Sequence, residues 1–179
     1  MLNTRRDFLE SLAGFSLLPC VGCRLCDGNG LRYASTGELH KDFHASILDG
    51  LDYVREIYGE KALAEVLGAF AKDVYRSMHE KLVVGDASEL REHWRYYMDR
   101  EQGRYRVVDR EDGGVELEVL ECPACAHLRK RNVPGGERLC EATGRINAAL
   151  CEGSPFESAL EQRGDGRCRQ IIRRKGAAA

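Results

Sequence analysis

Leu39, Phe43, Ile47, Leu51, Val54 and Tyr58 recur every three or four positions. That is the period of one apolar face on a helix. The run opens on Ser35-Thr36-Gly37-Glu38, which has the S-x-x-E form of a capping box, and Gly59 ends it. A second helix is expected to carry Leu63, Val66, Leu67, Phe70, Val74, Met78 and Leu82 on one stripe until Gly85-Asp86. A third, from about Ser88 to Met98, should bury Leu90, Trp94, Tyr97 and Met98. The period then drops to two. Tyr105, Val107 and Asp109 alternate with Arg106 and Val108, and Val115, Leu117 and Val119 with Glu116 and Glu118. The intervening Glu111-Asp112-Gly113-Gly114 is turn chemistry, so the pair predicts a β-hairpin ending at Cys122-Pro123. A basic loop over Leu128–Gly136 and a helix over Glu137–Cys151 follow. A closing hairpin then joins Phe156–Gln162 to Arg167–Arg173 across Gly164-Asp165-Gly166. The order predicts an α+β fold, with N-terminal helices packed on an antiparallel sheet of two hairpins and a helix between them.

Composition narrows the function classes. The chain has 179 residues, 43% hydrophobic and 31% charged, a balance that fits a globular domain and excludes a polytopic membrane protein. The net charge is −2, so no global field recruits nucleic acid, and none is expected as a partner. Residues 1–34 read as a leader and linker, and 35–175 as a single domain. Eight cysteines are many for a chain of this length without thiol or metal chemistry.

The densest chemistry is Cys122-Pro123-Ala124-Cys125-Ala126-His127. A C-x-x-C turn aims two sulfurs at one spot, and thiolate and imidazole suit Zn²⁺, so Cys122 and Cys125 are candidate zinc ligands. Cys140 and Cys151 lie eleven residues apart on one predicted helix, roughly 16 Å. At most one of them can join that cluster. Cys168 shares a strand face with Gln170 and Ile172, and it approaches Cys122 if the two hairpins lie side by side. A metal site, a disulfide and a catalytic thiol all remain open at this point. His40 and His44, one helical turn apart, read as a partly buried or interface pair. Arg129-Lys130-Arg131 and Arg173-Arg174-Lys175 read as solvated loop ends able to meet an anionic substrate.

The leader Thr4-Arg5-Arg6-Asp7-Phe8-Leu9, before the apolar stretch Leu12–Val21, resembles a twin-arginine export signal. That resemblance implies the export machinery as a partner and a periplasmic or membrane-associated protein, a cytoplasmic one being the alternative. Cys20, Cys23 and Cys26 resemble three ligands of an iron–sulfur cluster, without the usual fourth. The second half resembles the L-2-amino-thiazoline-4-carboxylic acid hydrolase family. There a strand ends in Cys122-Pro123, a helix carries Cys140, and the closing hairpin reads Gly164-Asp165-Gly166-Arg167-Cys168. That hairpin is also similar to the small-molecule-binding domain named after 4-vinyl reductase. The first resemblance implies hydrolysis of a cyclic amidine to N-carbamoyl-cysteine. Cys168 would then be the catalytic thiol, His127 the proton carrier, and Arg167 or Arg169 the cation holding the substrate carboxylate. The second implies a sensor or binding module with a structural metal. A small-molecule ligand is expected on either reading, and a homodimer stays open.

Overall fold

Three helices lead into a four-stranded antiparallel sheet in a computed structural model that describes residues 38–176, with the side chains of residues 38–40 and 42 excepted. The leader motif, Cys20, Cys23, Cys26, the Ser35 capping box and the His40 side chain lie outside the described residues. Those described belong to one compact unit, Thr36–Ala179. The elements are α1 (Glu38–Asp73), α2 (Arg76–Val83), α3 (Ser88–Arg100), β1 (Arg104–Asp109), β2 (Val115–Glu121), α4 (Pro123–Lys130), α5 (Gly136–Leu150), β3 (Phe156–Gly164) and β4 (Arg167–Arg174). The class is α+β, as the hydrophobic periods require.

Gly59, at φ 84° and ψ 172°, breaks α1 into two arms. Only glycine takes that conformation without a Cβ penalty. The faces that bury differ from the apolar runs in the sequence. In the first arm His44 and Leu48 are buried, while Phe43, Ile47 and Tyr58 stay exposed. In the second, Leu63 and Leu67 are buried, and Val66 and Phe70 are not. Each arm has two apolar arcs, and periodicity alone does not say which meets the core. Leu63 and Leu67 pack with Ala142 of α5, beside Leu51, Val54 and Ile146. Ion pairs line the same seam, with Arg138–Asp52 at 2.9 Å and Arg145–Glu60 at 2.8 Å. The expected second helix also ends early. Met78 and Leu82 belong to α2, which begins after the turn at residues 74–75.

The sheet order is β1-β2-β4-β3, so the two hairpins pair through their second strands. Val115, Leu117 and Val119 of β2 point to the same side as Cys168 and Ile172 of β4, and meet Trp94, Met98 and Phe156 there. Phe156 and Ile172 are fully buried. Asp165 and Gly166 link β3 to β4 with φ of 50° and 72°, the paired positive angles of a type I′ turn. Packing between α5 and β3 is close at Gly144, where a Cβ would stand 3.0 Å from Leu160 Cδ2.

A buried polar pair joins the first arm of α1 to the end of α3. His44 Nε2 lies 3.0 Å from Glu101 Oε2, and the two side chains are 8% and 2% exposed. The Tyr97 hydroxyl stands 3.5 Å from the same nitrogen. Glu101→Ala leaves a polar ring nitrogen buried without its partner, which costs about 1–3 kcal/mol. The expected drop is read from urea unfolding of the variant against the parent chain.

Candidate functional site

Four of the five described free cysteines converge from three parts of the fold. The expected C-x-x-C turn and the start of the expected loop form one short helix, α4, which Pro123 opens in the first-turn position that suits proline. Cys122 is its N-cap, and Cys125 sits in its first turn. The hairpin tip docks on this turn, with Cys122 N–H donating to the Gly166 carbonyl at 3.0 Å. A Cβ on Gly166 would stand 2.9 Å from Cys125 Cβ and 3.5 Å from Cys122 Cβ. Glycine is therefore required there twice over, by its φ and by this contact. Cys168 follows two residues later on β4, facing the core. Cys140 comes from α5, and Cys125 Sγ faces the Gly136 carbonyl near that helix's start at 3.7 Å.

The thiols influence one another in sequence, Cys122 with Cys125, Cys125 with Cys140 and Cys140 with Cys168. Their charges also couple across the remaining pairs. Donation to Cys125, then burial, hold Cys122 well above the ordinary thiol range, against the N–H groups of Cys125 and Ala124. Cys125 is lowered by its neighbour Cys122, but its interaction with Cys140 and burial outweigh this and push it up to about 11. Cys140 is likewise lowered by Cys125 and raised more by Cys168 and burial, to about 12. The chain ends on Cys168, which the Cys140 hydrogen bond holds below its ordinary value despite burial, with help from Gln170. Cys168 is thus the thiol of this cluster whose pKa is held lowest. Gln170 is itself fixed, because its Oε1 accepts from Asn147 Nδ2 at 2.8 Å in the interior. Gln170→Leu should raise the Cys168 pKa, read by ultraviolet thiolate titration. It should also cost about 1–3 kcal/mol by stranding the Asn147 amide.

A cleft of about 290 Å³ opens beside the cluster. Cys125, Cys140, Leu128 and Val133 line it, and Arg129 and Arg167 stand at its edge. Arg129 lowers the Cys125 pKa through its charge. Cys122 and Cys168 sit behind, and Cys168 is 5% exposed.

The structure thus brings Cys122, Cys125 and Cys168 together, adds Cys140, and puts Arg167 at the cleft. His127 and Arg169 are not among the cleft-lining residues. His127 lies two residues from Cys125 on α4, about 200° round the helix, so the two side chains leave by opposite sides. Arg169 alternates with Cys168 along β4 and projects from the other face of the sheet, in a two-point ion pair with Glu116. Cys151, at the far end of α5, is buried apart from the cluster and raised by burial to about 12. His44 turns inward to Glu101. Among the described residues, no group of three or more His, Cys, Asp or Glu side chains is placed so that it could hold a metal ion. No described helix is long and apolar enough to cross a membrane. A scan of protein-family models, a search of the curated proteins and a search of the solved structures each gave no match.

Proposed function

We propose that this domain is a small-molecule-binding module whose thiol cluster holds one structural zinc ion. The observation that carries the reading is the meeting of Cys122, Cys125, Cys140 and Cys168 around the C-x-x-C turn. Four sulfurs match the ligand set of a closed, tetrahedral structural site, with Zn–S of about 2.3 Å. The four sulfurs do not share one centre among the described residues, so the ion would have to draw them together. Buried thiols with raised pKa values are poor nucleophiles, and a divalent ion at their centre would favour their ionised forms. The ion would tie α4, α5 and the β3–β4 tip together and so fix the wall of the adjacent cleft. Arg129 and Arg167 suit an anionic group on the ligand, a carboxylate above all. A twin-arginine-like leader suits this reading, since that route carries proteins folded and loaded before export. Elemental analysis of protein purified without added metal tests it. One zinc per chain is expected, and a metal-free preparation that takes up no zinc and whose Tm does not rise when zinc is added overturns it.

A second reading, hydrolysis of a cyclic amidine such as 2-amino-thiazoline-4-carboxylate, draws on the thiols and Arg167 meeting at one cleft. It places the nucleophile on Cys168 and the carboxylate on Arg167. Turnover of that substrate, abolished in Cys168→Ala, would favour it. Absence of turnover in the reduced, metal-free chain removes it.

A further inference from the structure

The first arm of α1, residues 38–58, carries an apolar face turned to solvent. Phe43 is 56% exposed, Ile47 49%, Tyr53 57%, Ile57 60% and Tyr58 64%. At 3.6 residues per turn these five fall within an arc of roughly 140°, in which Val54 is half-buried against Leu63 and Leu67. Two small residues one turn apart, Ser46 and Gly50, lie within it, and both are exposed. Nothing stands within 4 Å of the place a Gly50 Cβ would occupy. A glycine in a helix interior is destabilising relative to alanine. Inside an apolar face it permits another helix to approach to backbone distance.

We propose that this face is a homodimer interface, in which two copies cross their first arms antiparallel about a two-fold axis at Gly50. The spacing is self-complementary. Positions equidistant from residue 50 meet across such an axis, so Phe43 of one copy faces Ile57 of the other, and Ile47 faces Tyr53. Large side chains then pack against large ones on either side of a small centre. The area also fits. With roughly 200 Å² per aromatic side chain, the three aromatics alone leave roughly 350 Å² uncovered. Ile47 and Ile57 bring the patch to roughly 550 Å², at the upper end of the range for the largest apolar patch on a monomer, where such patches are often functional. Covered on both copies, it supplies roughly 1,100 Å², and a polar rim would carry the contact into the size class of stable dimers.

Sedimentation equilibrium of the full chain tests the proposal. A dimer is expected well below about 100 µM chain. Ile47→Asp places a charge opposite Tyr53, and Gly50→Gln fills the crossing point. Each should weaken association at least about 100-fold, with the circular dichroism spectrum and Tm of the monomer preserved. Gly50→Cys should form an inter-chain disulfide on mild oxidation, because the two-fold axis brings that position onto itself. A parent chain that stays monomeric at that concentration overturns the proposal, whether residues 1–37 or another protein covers the face. So does a dimer that both substitutions leave intact.

Discussion

Chelation of the zinc-loaded chain is expected to lower its Tm by roughly 8–16 °C. An ion bound at about 1,000 times its dissociation constant stabilises the native state by about 4 kcal/mol. A domain of this size shifts by roughly 2–4 °C per kcal/mol. The domain should not unfold outright, because its core does not depend on the ion. Phe156, Ile172, Val115 and Leu117 are buried by helices and sheet alone. Cys140→Ala should reproduce the loss and be insensitive to chelator, since it removes the sulfur that links Cys125 to Cys168. Cys151→Ala is the control. It deletes a buried thiol away from the cluster and should keep its zinc and its chelator-sensitive Tm. The affinity should also fall as pH falls, because the ion displaces protons from thiols raised to about 11 and about 12 at Cys125 and Cys140. A differential scanning calorimetry series with and without chelator, at two pH values, reads all of these.

Gly166→Ala should destabilise the chain by about 2–5 kcal/mol and weaken metal binding with it. Part of the cost is the αL conformation at φ 72°, about 1–2 kcal/mol for a residue bearing a Cβ. The rest is the collision of that Cβ with Cys125 Cβ, where about 1–3 kcal/mol of overpacking is expected. The contact relaxes only by lifting the β3–β4 tip from the C-x-x-C turn. That movement carries Cys168 from Cys122 and lengthens the hydrogen bond from Cys122 N–H to the Gly166 carbonyl. Gly164→Ala supplies the comparison. It also has positive φ, at 75°, but nothing lies within 4 Å of its Cβ direction. It should show the conformational cost alone and keep its metal affinity. Equal zinc affinities in the two variants would separate the tip from the cluster.

Much of this arrangement is legible in the sequence, residue by residue. Alternation in β2 and β4 gives the inward set of Val115, Leu117, Val119 and Cys168. The Asp-Gly turn gives the closing hairpin, and the eleven-residue spacing separates Cys140 from Cys151. The same alternation places Arg169 opposite Cys168, so the two could not serve one pocket. Helix α4 is the element the pattern conceals. Its eight residues show less than one full apolar repeat, and the basic run from Arg129 reads as loop. The signal was Pro123, which favours the first turn of a helix as readily as the end of a strand. Once α4 is in place, His127 faces away from Cys125. The burial of α1 is concealed for another reason. Its arms carry apolar residues on two arcs, and only tertiary packing selects Leu48, Leu63 and Leu67 over Phe43, Ile47 and Phe70. His44 is buried because Glu101, 57 positions away in sequence, meets it.

X-ray absorption at the zinc edge of the purified, metal-loaded chain bears most directly on the four-sulfur site. The account predicts a single shell of four sulfurs at about 2.3 Å, reduced to three sulfurs and one lighter atom in Cys140→Ser. A shell of oxygen and nitrogen, or a spectrum unchanged by that substitution, would contradict it.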